Sequence, residues 1–244
     1  MTQIVIGAAG IFLAALLGGA TGFGFGLVAA PSLLAAGLPL REVVAANLAI
    51  ALLTRLAAVR RLRRHLVWPR AARLIGGGVP GILAGLAVRG TLDTGVLKIG
   101  VGLVAIGAAL AIAFRPGDRD GPPAGAATTL AAGAGGGFLG VTTSLNGVPP
   151  ALLLTRDRVE QMSFVADLTV YFIVSNVLTL ALLTATDPGV LAPLGKYVAF
   201  WLPLGILGNQ LGIRAADRIP YRVFRAISLG VILTAGCATI ATAL

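Results

Sequence analysis

Residues 19–26 read GATGFGFG and residues 133–150 read GAGGGFLGVTTSLNGVPP, and these two glycine-rich stretches decide the fold. Each stretch interrupts an apolar run and leads into a short apolar segment, over 24–38 and 147–155. The second segment is too short to cross a bilayer core of about 30 Å as a helix. Irregular backbone is tolerated at membrane depth only where protein or a water-filled cavity surrounds it. The pattern therefore predicts short, broken or re-entrant helices at both stretches.

The composition places the chain in a membrane. Of its 244 residues 57% are hydrophobic and 11% are charged, and the mean hydropathy is +0.94. Soluble domains carry about 25% charged residues. The length suffices for roughly eight to ten apolar segments of about 20 residues. We predict an all-α, polytopic transmembrane helical bundle in the cell (plasma) membrane, in contact with the lipid bilayer.

The net charge of +10 does not indicate a nucleic-acid partner, because the basic residues lie in loops between apolar runs. The positive-inside rule explains that placement. Cys237 is the single cysteine and His65 the single histidine, so an internal disulfide and a His/Cys metal cluster are excluded. We predict no nucleic acid, no metal and no cofactor.

The polar linker RPGDRDGPPAG, residues 115–125, divides the chain into halves 1–114 and 126–244 that repeat each other weakly. For example, AANL at 45–48 corresponds to VADL at 165–168. Such ordered matches indicate duplication.

The distribution of charge predicts the orientation of the two halves. The loop 60–73 is strongly basic, whereas its counterpart 187–196 is nearly uncharged. Opposite charge bias in equivalent loops is expected when two halves cross the membrane in opposite directions. The two homologous halves are therefore predicted to form an inverted repeat.

The predicted substrate-binding site combines helix N-termini with neutral polar side chains. A half-helix that starts at a glycine cluster points free N–H groups at a cavity and attracts anions. The candidate substrate-binding residues are Gly22, Gly24, Gly26, Asn47, Gly137, Thr143, Ser144, Asn146, Gly147 and Asn176. The alternatives are glycines that only permit close helix packing, and an ordinary surface loop at 142–150.

Two ionisable residues inside apolar segments complete the candidate site. Asp167 is a candidate for proton coupling, because an acidic residue at membrane depth is usually protonated, paired or in a water-filled path. The alternatives are a structural hydrogen bond and a position nearer the membrane interface. Arg55 is either a counter-charge for the anion or a side chain that extends to the inner membrane surface.

Four aromatic residues lie near segment ends: Trp68, Tyr197, Trp201 and Tyr221. Tryptophan and tyrosine concentrate at membrane–water interfaces, so we predict that these four side chains anchor the bundle there.

The order of several motifs resembles one family. GFGFGLVAAP, AANLA and GVPGILAG in the first half are followed by SLNGVPP in the second. This arrangement, from Gly18 to Leu233, is similar to the sulfite exporter TauE/SafE family, also called the 4-toluene sulfonate uptake permease family. The family's glycine-rich motifs correspond to Gly22–Pro31, Gly135–Gly137 and Ser144–Pro150. The first copy reads GFGFG where many relatives have a longer glycine run.

The resemblance implies a secondary transporter, an exporter that works without ATP on sulfite, sulfonates such as sulfoacetate, or related anions. The anion is expected between the two glycine-rich elements, held by backbone N–H groups, Ser144 and Asn146. Alternatives are an anion channel and a non-transporting membrane partner subunit, and a homodimer stays open. We predict no enzyme, because neither His65 nor Cys237 has an evident partner for nucleophilic catalysis.

Overall fold

The computed structural model describes residues 2–88, 94–114, 123–143, 146–186, 188–189, 192 and 195–241. These residues form ten α-helices, a short 3-10 turn at Arg63–His65 and no strand. The helices are α1 (Thr2–Thr21), α2 (Phe25–Ala35), α3 (Leu40–Leu62), α4 (Trp68–Val88), α5 (Thr94–Phe114), α6 (Ala126–Thr143), α7 (Val148–Arg156), α8 (Gln161–Thr186), α9 (Gly195–Arg218) and α10 (Tyr221–Ala241). The prediction of an all-helical fold is confirmed.

Four helices are long and apolar enough to cross a membrane, judged by length and composition over the described residues. They are Gln3–Thr21, Glu42–His65, Gln161–Ala185 and Tyr221–Ala238. These features are those of a helical membrane bundle.

The two short segments form the short helices α2, with 11 residues, and α7, with 9 residues. Both end in the same hydrogen-bond pattern. The N–H groups of Leu38 and Val159 each donate to the carbonyl five residues earlier, at 3.2 and 3.0 Å. The preceding residues, Gly37 (φ 84°) and Arg158 (φ 51°), lie in the left-handed region that this helix ending uses.

The shared ending fixes a local register between the halves, 121 residues apart (159 minus 38). In that register Asp167 corresponds to Ala46, and Asn47 corresponds to Leu168. The sequence matches pair Asn47 with Asp167, one residue away from this register. The inverted repeat and the boundaries of its halves stay predictions, since a shared helix ending does not establish how the halves are oriented.

The helices form two compact units that do not coincide with the predicted sequence halves. Unit 1 comprises Met1–Leu66 and Val165–Ile219, and unit 2 comprises Val67–Phe164 and Pro220–Leu244. Each unit therefore combines helices from both halves of the chain.

In unit 1 the most extensive contact joins α1 to α9, and glycines make it close. A Cβ at Gly208 would collide with the carbonyl oxygen of Phe12, and a Cβ at Gly212 with that of Leu16. Gly19 on α1 faces the Asn209 carbonyl in the same way. Lipid supplies no hydrophobic drive between helices, so close backbone packing is a main source of association.

In unit 2 the corresponding contact joins α4 to α6. A Cβ at Gly77 or Gly81 would collide with a carbonyl oxygen of α6, and a Cβ at Gly133 or Gly137 with one of α4. In both units the first helix of one predicted half packs against the fourth helix of the other. This exchange explains why the spatial units differ from the sequence halves.

Two of the four predicted interface aromatics are buried in unit 1 instead. Trp201 has no exposed surface, and its indole N–H donates to the Ile4 carbonyl at 3.0 Å. Tyr197 stacks on it with ring centroids 4.7 Å apart. The prediction was wrong for these residues, because the open space above Gly7 of α1 admits the indole ring. Trp68, by contrast, is 63% exposed.

Replacing Gly81 or Gly212 by alanine should destabilise the helix pair that contains it. The new Cβ would overlap a backbone carbonyl oxygen, and overpacking of this kind costs about 1–3 kcal/mol. The thermal unfolding midpoint of the detergent-purified protein should therefore fall for both variants. Gly107→Ala on α5 is the matched control, because nothing lies within 4 Å of a Cβ there. Equal midpoints for all three variants would contradict the packing role.

Candidate functional site

The backbone between α1 and α2 turns sharply at Gly22, whose φ is +82°. A side chain there would be strained, and its Cβ would lie 3.3 Å from the Val165 Cα of α8. The turn is tied together by Thr21, whose hydroxyl donates to the Leu17 carbonyl at 2.9 Å and accepts from the Gly24 N–H at 3.2 Å. The chain thus leaves α1 and starts α2 in close contact with α8.

The start of α2 supplies backbone donors. Gly24 is the N-cap residue and makes no side-chain cap bond. The N–H groups in a first helical turn have no partner within the helix, and the helix dipole adds partial positive charge there. This end of α2 therefore favours negative charge.

Arg55 on α3 reaches this break. Its side chain is only 8% exposed, and one terminal nitrogen, Nη2, donates to the Gly22 carbonyl at 3.4 Å. The guanidinium carbon lies 4.5 Å from the centroid of the Phe172 ring on α8. The side chain is therefore turned into unit 1 and does not extend outward from the helix bundle.

The partners of Arg55 are electrically neutral. Among the residues that the structure describes, it contacts a carbonyl and an aromatic ring, and no carboxylate pairs with it. Burying a charge without an ion partner is costly, and such charges in membrane segments usually mark a ligand or ion pathway. Arg55 therefore places a positive charge, not paired with a described carboxylate, near the start of α2.

Asn47 lies next to the first turn of α2. A Cβ at Gly26 would be 3.6 Å from the Asn47 amide nitrogen and 3.9 Å from its oxygen. That oxygen, Oδ1, is buried and accepts no hydrogen bond from the described residues. A buried acceptor without a partner is unfavourable, so this oxygen is a candidate for a hydrogen bond from a water molecule, while the amide nitrogen can donate to a ligand.

The residues of α8 add buried polar groups to the same unit. Asp167 is fully buried, and Asn176 is 4% exposed. Asn176 stands at the position equivalent to Arg55 (176 minus 121), and each follows a hydroxyl that bonds backward to its own helix, Ser175 and Thr54. Helix α3 is tied to α9 by Asn209, whose amide donates to the Thr54 carbonyl at 3.3 Å.

The second glycine-rich stretch differs from the first. Its glycines Gly133–Gly137 lie within α6, which runs continuously from Ala126 to Thr143, and the short helix α7 begins only after Gly147, at the end of the stretch. A Cβ at Gly137 would strike the Gly78 carbonyl, so this residue serves the contact with α4, as the packing alternative proposed. It does not line a helix N-terminus.

The start of α7 is a weaker donor than the start of α2. Gly147 is its N-cap, but Pro149 and Pro150 have no N–H, and the Ala151 N–H already donates to Gly147 at 3.0 Å. Val148 is the remaining donor of that first turn.

The other candidate substrate-binding residues near the start of α7 add no described hydrogen-bond donor directed at it. Asn146 packs against Gly140. Thr143 ends α6, but its side chain and the whole of Ser144 lie outside the described residues.

Sequence reasoning missed Phe172 and the carbonyl of Gly22, the two groups that hold Arg55. No sequence signal identifies them, because an aromatic residue in an apolar helix and a carbonyl in a glycine-rich turn are both ordinary. Within the described ranges no group of three or more His, Cys, Asp and Glu side chains is placed to hold a metal ion.

The chain was compared with known families and proteins. The model of one family, described as sulfite exporter TauE/SafE, matches residues 7–239. No curated protein and no solved structure matches the chain. The family match includes all three groups that surround the break after α1, namely Gly22, Arg55 and Phe172. Since it spans nearly the whole sequence, the chain belongs to the sulfite exporter TauE/SafE family, a family of membrane transporters of sulfur anions such as sulfite.

Proposed function

We propose that this protein is a secondary transporter that exports a small sulfur oxyanion, sulfite or an organosulfonate such as sulfoacetate, across the cell membrane by alternating access. The observation that carries the proposal is Arg55, a buried cation held by neutral groups beside a helix N-terminus. An anion that binds there supplies Arg55 with the negative counter-charge that no described carboxylate of the protein provides.

Three kinds of group are proposed to bind the anion in unit 1. The guanidinium of Arg55 supplies charge and several N–H donors, of which one is used by Gly22. The first turn of α2, from Phe25 and Gly26, supplies backbone N–H groups. The amide nitrogen of Asn47, beside Gly26, supplies neutral N–H donors. Charge-assisted hydrogen bonds of this kind are about twice as strong as neutral ones.

Asp167 is the proposed site of proton coupling. It is fully buried on α8, in the segment whose neighbouring residues Val165 and Leu168 contact Gly22. An acidic residue at membrane depth is usually protonated, paired or in a water-filled path. Taking up and releasing a proton at this position during the transport cycle would link anion movement to the pH gradient.

The proposal is tested by anion flux into proteoliposomes that contain the purified protein. The panel is sulfite, sulfoacetate, sulfate and acetate, each with and without an imposed pH gradient. We expect saturable, gradient-driven movement of sulfite or sulfoacetate. Flux that does not saturate would favour a channel, and no flux from folded protein would contradict the proposal.

Arg55→Gln should raise the KM for the transported anion at least about tenfold, because a buried charge-assisted contact contributes about 1.5–3 kcal/mol. Arg60→Gln is the matched control, since Arg60 lies on the same helix but is exposed. Flux measured over a range of anion concentrations gives KM for each variant. If the two variants have the same KM, Arg55 does not bind the anion.

Asp167→Asn should leave the protein folded and remove the dependence of flux on the pH gradient, because an amide does not exchange a proton in this pH range. The exposed Asp217, near the end of α9, provides the control Asp217→Asn, which should keep that dependence. Gradient-driven flux that is unchanged in Asp167→Asn would show that Asp167 does not carry the coupled proton.

A further inference from the structure

We propose that Phe172 is a positioning residue that holds the Arg55 guanidinium in the anion site while leaving its positive charge available to the substrate. The proposal rests on the proposed function, since it assigns a role toward the anion bound by Arg55. Its basis is the contact between the guanidinium carbon and the Phe172 ring, at 4.5 Å from the ring centroid.

The kind of partner determines how much charge Arg55 offers. A carboxylate in hydrogen-bond contact would stabilise the buried cation but would cancel its charge and compete with an anionic substrate. An aromatic ring stabilises a cation through its quadrupole and carries no net charge. The carbonyl of Gly22 is likewise neutral. Both contacts lower the cost of burying Arg55 without neutralising it.

The geometry leaves the guanidinium both fixed and accessible. One face lies toward Phe172 and one terminal nitrogen donates to Gly22, so the remaining N–H donors are free to contact an anion. Phe172 is itself fixed, because it is 2% exposed and packs edge-on against Tyr171 with centroids 5.3 Å apart. A fixed guanidinium binds with less loss of side-chain entropy than a mobile one.

The ring can be removed with little change in apolar volume by Phe172→Leu. In proteoliposomes with sulfite as the probe, this variant should raise KM about tenfold and leave the maximal rate within about twofold, as expected for lost binding. Phe172→Tyr keeps the ring and should stay within about twofold of the original KM.

Phe164→Leu is the matched control for loss of a buried ring from the same helix. Phe164 is 1% exposed and packs edge-on against Phe224, in unit 2, with centroids 5.2 Å apart. This variant should lower the thermal unfolding midpoint about as much as Phe172→Leu, without changing KM. An equal rise in KM for both leucine variants would show that Phe172 acts through general packing, and would overturn the proposal.

The two proposals fail in different ways. If Arg55→Gln raises KM and Phe172→Leu does not, the positioning role is wrong and the anion site stands. If Arg55→Gln leaves KM unchanged, the anion site is wrong, and the positioning role falls with it. If the unsubstituted protein shows neither flux of sulfite or sulfoacetate nor a shift of its thermal midpoint with either anion, both are overturned. In the Arg55→Gln background, Phe172→Leu should cause no further rise in KM.

Discussion

Close contact between backbones, in the pair α1 with α9 and in the pair α4 with α6, is the constraint on which both units depend. In lipid, apolar side chains gain nothing by leaving their surroundings for another helix, so association relies on packing and hydrogen bonds. Glycines at positions such as Gly81 and Gly212 let carbonyl groups of the facing helix approach to the van der Waals limit. Larger side chains would separate the axes and remove these contacts.

The candidate site depends on the same helices. Helix α1 is held against α9, and its end at Thr21 therefore fixes where the chain turns and where α2 begins. The positive φ of Gly22 lets the turn pack against α8 and directs a carbonyl toward Arg55. Two other glycines play different parts, because Gly24 caps α2 and Gly26 lies beside Asn47. A single glycine-rich stretch thus serves turn geometry, helix start and access to a polar side chain.

The two glycine-rich stretches look alike in sequence and behave differently for physical reasons. In the first, Gly22 forms the turn between α1 and α2, and α2 starts with N–H groups on Phe25 and Gly26. In the second, Gly133 and Gly137 lie inside α6 and serve packing, and α7 starts with Val148 followed by Pro149 and Pro150, which have no N–H. The anion site is therefore proposed at the first stretch, next to the buried Arg55.

The sequence by itself determined the helical membrane class, the two short helices and the family, because hydropathy, Gly/Pro placement and motif order are local properties of the chain. It also singled out Gly22, Asn47, Arg55 and Asp167 as polar or irregular positions within or beside apolar segments. Only the tertiary structure decided which helices pack together, since that depends on which glycines face a neighbouring carbonyl. It likewise decided that Arg55 turns inward, because Phe172 and the Gly22 carbonyl come near it only after α3, α8 and the end of α1 have assembled.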